Sequence, residues 1–183
     1  RVGRENRGEG LLREQTEVCD AQITDAPGVA LVAFTADCTP ILLFDPVRKA
    51  IAAIHAGWRG TALGIAAKTV EAMTRAYGCK PENIRAAIGP CIGQCCFETD
   101  EDVPQAMRSA LGSEAEACIE RRGEKFHVDN KALNRIWLTR AGVRCIDISA
   151  DCTMCQPERF WSHRVTHGER GSLAAVIRLP AQR

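Results

Sequence analysis

Residues 1–15 mix Arg, Glu and Gly with no hydrophobic period, which predicts loop. The texture changes at Val29. Residues 29–36 and 41–44 are short apolar runs bounded by Pro27-Gly28, by Asp37 and by Asp45-Pro46, the punctuation expected of strands. Residues 51–54 form a third such run. Residues 45–49 have the composition of a hairpin turn, so the second and third runs are expected to be antiparallel neighbours. From Thr61, a predicted cap, Leu63, Ala66, Ala67, Val70, Met73, Ala76 and Tyr77 recur at helical spacing, and Gly78 supplies the stop. Residues 84–88 read as a strand and residues 100–111 as a helix. Asp129 is expected to cap a further helix with Leu133, Ile136, Trp137 and Arg140 on one face and Gly142 at its end. Residues 143–148 and 173–179 read as late strands, the last predicted buried from Ala174, Ala175, Val176 and Ile177. With no repeat or linker, this order predicts one α+β domain with a mixed sheet and packed helices, spanning residues 1–183.

Composition sharpens the picture in three places. With 45% hydrophobic and 26% charged residues in 183, the chain has enough apolar material for a real core. A net charge of +1 gives no electrostatic case for nucleic acid or an anionic membrane as partner. No apolar run approaches the ~20 residues of a membrane span, and no signal-like segment is visible, which predicts a cytoplasmic protein. The first residue is Arg1 rather than Met, so further upstream sequence is expected. Nothing in the sequence speaks to oligomeric state. Ten cysteines are many, yet the chain lacks the small, core-poor character of a disulfide scaffold. Most are therefore expected to be small buried residues, with one or two exceptions.

Reactive side chains gather beside glycines at three strand ends. Asp37 and Cys38 interrupt two apolar runs, and local rule-breaking of that kind tends to mark function. His55, Gly57, Trp58, Arg59 and Gly60 share a turn into a helix, where backbone N–H groups and a guanidinium suit an anion. Residues 89–98 hold two glycines and three cysteines. If the hairpin forms, Cys38 and His55 flank its open end. They then share a metal, form a nucleophile–base dyad, or are a buried thiol and a backbone-bonded imidazole. Cys152 and Cys155 form a CxxC, but Cys91 with Cys95 or Cys96 is a poor match for the second pair of a zinc site. The expectation is that Cys152 and Cys155 make neither a metal site nor a disulfide. Residues 162–164 and 167–171 are either a solvated loop or a wall with phosphate-compatible arginines.

Four segments in order, TADCTPILLFDP, HAGWRGTALGI, IGPCIGQCCFE and CT…FWSHR…RGSLAAVI, resemble the YfiH-like family, also called laccase-domain or multicopper polyphenol oxidase proteins. The resemblance runs from about Asp20 to Leu179. It implies an α+β domain of cytotoxic-necrotizing-factor-like topology and a purine nucleoside phosphorylase with adenosine deaminase activity. Adenosine, inosine and methylthioadenosine, with phosphate, are the implied substrates. It also implies zinc held by His, Cys and His, with Cys38 and His55 at two of those positions. The third ligand belongs to a histidine upstream of the cysteine. The sequence has no histidine before His55, so this ligand is unassigned. Missing upstream sequence is the favoured explanation; a metal-free variant, or substitution by His163 or His167, is the alternative.

On this reading Cys38 and His55 hold zinc that activates water for deamination, and Asp37 orients a ligand, moves a proton, or accepts backbone hydrogen bonds. Arg59, the backbone of Gly57 and Gly60, and Arg164 are the expected phosphate cradle. A cysteine hydrolase using a Cys38/His55 dyad is the first rival. Copper-dependent phenol oxidation is another, although four histidines are too few for a blue site plus a trinuclear cluster. A partner-binding domain with a vestigial site is the third.

Overall fold

The computed structural model describes residues 1–10, 12–14 and 17–181 of the chain. A five-stranded sheet carries β1 (Ala21–Thr24), β3 (Thr39–Asp45), β4 (Ala50–Ala56), β5 (Arg85–Ile88) and β9 (Cys145–Ile148) in the order β1-β4-β3-β5-β9. The β5–β9 pair is parallel and the others antiparallel, so the sheet is mixed. The predicted hairpin is at its centre. Asp45, fully buried, accepts hydrogen bonds through Oδ1 from the N–H groups of Val47 (2.8 Å) and Arg48 (3.0 Å), which turns the chain between β3 and β4.

The central strands read as continuous apolar runs because both of their faces are covered. Ile41, Leu43, Ala52 and Ile54 pack against Ala66, Val70 and Met73 of α2 (Ile65–Tyr77). Ile51 and Ala53 face the other way, onto Leu31 and Ala33 of β2 (Ala30–Thr35). That strand pairs antiparallel with β10 (Leu173–Arg178) in a separate two-stranded ribbon. The strand predicted to be buried at the end of the chain is therefore half-exposed: Leu173, Ala175 and Ile177 are partly covered, while Val176 is 54% exposed. A third sheet, β6 (Glu98–Thr99), β7 (Ile119–Arg122) and β8 (Lys125–Val128), was not anticipated from sequence and packs with α3 (Asp102–Leu111) over a second core.

The helix expected from Thr61 is divided. Helix α1 (Trp58–Ala62) begins earlier, at Gly57, and Gly64 (φ 71°) makes the left-handed break before α2. Thr61 is not a cap. It is fully buried, and its hydroxyl accepts from Asn134 Nδ2 at 2.8 Å. Asp129 does cap α4 (Asn130–Arg140), accepting from the Ala132 N–H at 2.9 Å. A short α5 (His163–Thr166) is capped by Ser162. Among the described residues no helix is long and apolar enough to cross a membrane.

Candidate active site

The open end of the β3–β4 hairpin brings Cys38 and His55 together. In the register, Pro40 faces His55 and Thr39 faces Ala56, leaving Cys38 and Gly57 as the next positions across the gap. A Cβ placed on Gly57 would stand 3.4 Å from Cys38 Sγ, 3.6 Å from His55 Cε1 and 4.0 Å from its Nε2. Thiol and imidazole therefore share one small space. On the far side, Asp20, which leads into β1, places Oδ1 2.9 Å from His55 Nδ1, and its carbonyl accepts the His55 N–H at 2.7 Å.

These neighbours hold the His55 imidazole charged well beyond its ordinary range, with its pKa raised to about 9. The hydrogen bond with Cys38 is the largest cause. Burial opposes it, and the Asp20 carboxylate adds to it. The carboxylate also fixes which ring nitrogen does what: with Nδ1 turned to Asp20, Nε2 faces Cys38 and is the atom free to hold a metal or move a proton. Asp20 is a candidate site residue that the sequence reading missed.

Asn130 anchors this end of the hairpin from α4. Its Nδ2 donates to Thr39 Oγ1 (2.9 Å) and to the Ala56 carbonyl (3.0 Å), tying together the residues after Cys38 and His55. Its own buried Oδ1 has no partner. Replacement by Ala strands two buried acceptors but removes one orphaned atom. The expected net cost is about 1–2 kcal/mol, measurable as a lowered urea midpoint.

Asp37 stands in a left-handed conformation (φ 76°) that a non-glycine residue adopts only when its surroundings fix it. Thr153 Oγ1 donates to Oδ1 at 2.6 Å, and Ser162 Oγ (3.0 Å) and the Arg164 N–H (2.7 Å) donate to Oδ2. Both oxygens are thus engaged in bracing the segment that presents Cys38. The Arg164 guanidinium is directed elsewhere, donating through Nη1 and Nη2 to the Glu98 carbonyl at 3.1 and 3.2 Å. Gly60 lies inside α1 rather than in a loop. Arg59 is exposed, with its guanidinium stacked 4.2 Å above the Trp58 ring. Among the described residues it has no carboxylate partner, and it stands outside the wall of the cleft beside His55.

That cleft, about 500 Å³, is walled by His55, Asp20, Phe34, Asn6 and Arg7 among others, a size that suits one small molecule. Phe34 offers it an aromatic face, 48% exposed. Neither His163 nor His167 completes a donor set with Cys38 and His55. Among the described residues no third His, Cys, Asp or Glu donor lies close to both. The Cys38 thiolate and His55 Nε2 suit two of the ligands of a zinc ion, with Asp20 in the outer position that commonly orients a ligating histidine.

The cysteine pattern departs from expectation. Only Cys79, Cys91, Cys118 and Cys152 are buried, and Cys145, on the strand at the edge of the sheet, is exposed. More important, Cys152 and Cys155 do have partner thiols. Their sulfurs and those of Cys95 and Cys96 all lie within 4.8 Å of one another, a group that could hold a metal ion. Sequence spacing hid this because the second pair is two adjacent cysteines rather than another CxxC. Burial disfavours the Cys152 thiolate, but N–H groups of Gly93 and Cys155 and the neighbouring thiols outweigh it, lowering its pKa to about 7.

The mixed sheet with TADC and HAGWRG at one end of its central hairpin is built from the sequence of a laccase-domain protein. The pattern described as multi-copper polyphenol oxidoreductase laccase matches residues 3–180, and the chain belongs to this YfiH-like family. It is 43% identical over 162 residues to a purine nucleoside phosphorylase of Deinococcus radiodurans, covering 88% of this chain and 61% of that protein. It is 38% identical over 151 residues to the adenosine deaminase RL5 of an unknown prokaryotic organism, covering 81% of this chain and 57% of that one. The crystal structure of Bacillus licheniformis hypothetical protein YfiH superposes with a TM-score of 0.89 at 35% identity, over 94% of this chain and 66% of that one. The chain thus spans about two thirds or less of the length of these relatives.

Proposed function

We propose that the protein is a purine nucleoside phosphorylase with adenosine deaminase activity, acting at a zinc site that includes Cys38 and His55. The observation that carries this reading is the meeting of Cys38 Sγ and His55 Nε2 at one open hairpin end, with Asp20 turning Nδ1 away. The names of the relatives support an enzyme of this class. Zinc bound there would supply Lewis-acid activation at the reacting centre. Adenosine, inosine and methylthioadenosine, with phosphate, are the proposed substrates.

The chain's own residues do the rest. Asp20 holds the imidazole in one tautomer and orientation. Asp37, satisfied by Thr153, Ser162 and Arg164, acts as a brace for Cys38 rather than as a proton carrier. Phe34 gives the purine a face to stack on, beside His55 in the same cleft. Arg59, without a carboxylate partner among the described residues, leaves its stack on Trp58 and turns toward His55 to give the second anion, phosphate, a charge-assisted contact. Arg59→Ala is expected to lower phosphate-dependent turnover of adenosine about tenfold while leaving inosine formation within about twofold. Equal loss of both would make Arg59 a structural residue.

The deciding experiment incubates the protein with adenosine, with and without phosphate, and resolves adenine from inosine. Phosphate-dependent adenine supports phosphorolysis, and phosphate-independent inosine supports deamination. Absence of both products would overturn the reading. The hydrogen bond between Cys38 and a charged His55 favours one second reading, a cysteine hydrolase with a thiolate–imidazolium dyad. Iodoacetamide inactivation with no zinc at Cys38 and His55 would support it.

A further inference from the structure

We propose that Cys95, Cys96, Cys152 and Cys155 form a tetrathiolate zinc site, separate from Cys38 and His55, that staples the loop of residues 91–97 to the loop of residues 151–156. Four sulfurs within 4.8 Å of one another match what one tetrahedral ion requires. With Zn–S bonds of about 2.3 Å, the edge of an S4 tetrahedron is about 3.8 Å. The observed Cys95–Cys155 and Cys96–Cys155 separations are 3.7 and 3.4 Å. One sulfur at similar distances from two others is the arrangement of a shared ion. A disulfide would bring one pair to about 2 Å and leave the rest apart.

The backbone explains how adjacent cysteines face one centre. The Gly93 carbonyl accepts from the N–H groups of both Cys96 (3.0 Å) and Phe97 (2.9 Å), a tight turn that swings both thiols to one side. The Gly93 N–H then donates to Cys152 Sγ at 3.1 Å, the kind of outer contact that spreads thiolate charge in metal knuckles. A Cβ on Gly93 would lie 3.2 Å from Cys152 Cβ and from Cys95 Sγ, so the cradle is closed to a larger residue. The loops are also held in register without any ion. Cys91 and Cys152 form a parallel bridge, and the Thr153 N–H donates to the Cys91 carbonyl at 3.0 Å. Lys131 Nζ fixes the approach to Cys152 by donating to the Ser149 (2.8 Å) and Asp151 (3.0 Å) carbonyls.

Four thiolates leave no open coordination position, so the site is structural rather than catalytic. Its role follows from its neighbours. Thr153, inside the CxxC, donates to the Asp37 carboxylate, and the Ile92 N–H donates to the Asp37 carbonyl at 3.0 Å. Both stapled loops thus support the residue that presents Cys38.

The test uses the full chain carrying Cys38→Ala and His55→Ala, purified under reducing conditions, so that the proposed catalytic donors contribute no metal. One zinc per chain is expected by elemental analysis. Adding Cys96→Ser and Cys155→Ser should cut it by at least about tenfold, whereas Cys145→Ser should not. At free zinc about 100-fold above Kd, Tm should rise by about 5–10 °C over the chelated protein. Because the serine variants could fail to fold, cobalt is also titrated into the otherwise unaltered background chain. The thiolate charge-transfer band and the visible spectrum of a tetrahedral tetrathiolate are expected. Any of four results overturns the proposal: no zinc, zinc retained without Cys96 and Cys155, iron in its place, or peptide mapping that finds disulfides among the four in the reduced protein.

Discussion

Cys38→Ala is expected to abolish both phosphorolysis and deamination of adenosine, each by at least about 10³-fold, or about 4 kcal/mol of transition-state stabilisation. Cys38 meets His55 Nε2 across the open hairpin end and offers the one soft, charge-bearing donor there. Without it, a single imidazole remains among the described donors. Cys38→Ser should not rescue activity, because a hydroxyl is a far poorer zinc ligand than a thiolate. Adenine and inosine are to be quantified against the unaltered chain, with circular dichroism confirming the fold. Residual turnover above a tenth of the original would remove Cys38 from the chemistry. Metal analysis of the same variant separates the two readings of the site. Loss of one zinc per chain supports the metal centre, while unchanged zinc with lost activity supports the thiolate–imidazolium dyad.

The hairpin that builds this site was legible because its signal is local. Apolar residues 41–44 and 51–54, broken by Asp45-Pro46, fix both strands and their turn, and the turn fixes the register that brings Cys38 opposite Gly57. The residues that orient the site were not legible, because they arrive from elsewhere in the chain. Asp20 reaches His55 from 35 positions upstream, ahead of a four-residue strand too short to show a period. Asn130 crosses 91 positions to Thr39. A helix-opening Asp129-Asn130 predicts only a cap. The cysteine cluster is illegible for a related reason: Cys96 and Cys155 are 59 positions apart, and only the turn at Gly93 makes adjacent thiols converge. The split of the expected helix at Gly64 was concealed by periodicity, since Leu63 fits the α2 spacing yet is 68% exposed.

Asp20→Ala tests the orienting arm and carries the second large effect. With Nδ1 bonded to Asp20, the imidazole is held with Nε2 toward Cys38. Outer partners of this kind typically contribute 10–100-fold to metal affinity or activity, and a loss of that size is expected in both adenosine reactions. Asp20→Asn should lose less, about tenfold, since its amide oxygen still accepts from Nδ1–H but carries no charge. A second readout separates orientation from general damage. In the metal-free chain His55 titrates near 9, above its ordinary 6.5, with Cys38 the largest cause, burial opposing and Asp20 adding. Because the folded value is the higher one, this hydrogen bonding stabilises the metal-free fold fully below about 6.5. The contribution is lost as pH rises through about 9. Removing Asp20 should lower the His55 pKa and shrink that pH-dependent part of the stability, followed by imidazole NMR and by urea midpoints between pH 6 and 9. An unchanged His55 titration in Asp20→Ala would show that the carboxylate, 62% exposed at its side chain, is too well solvated to hold the ring.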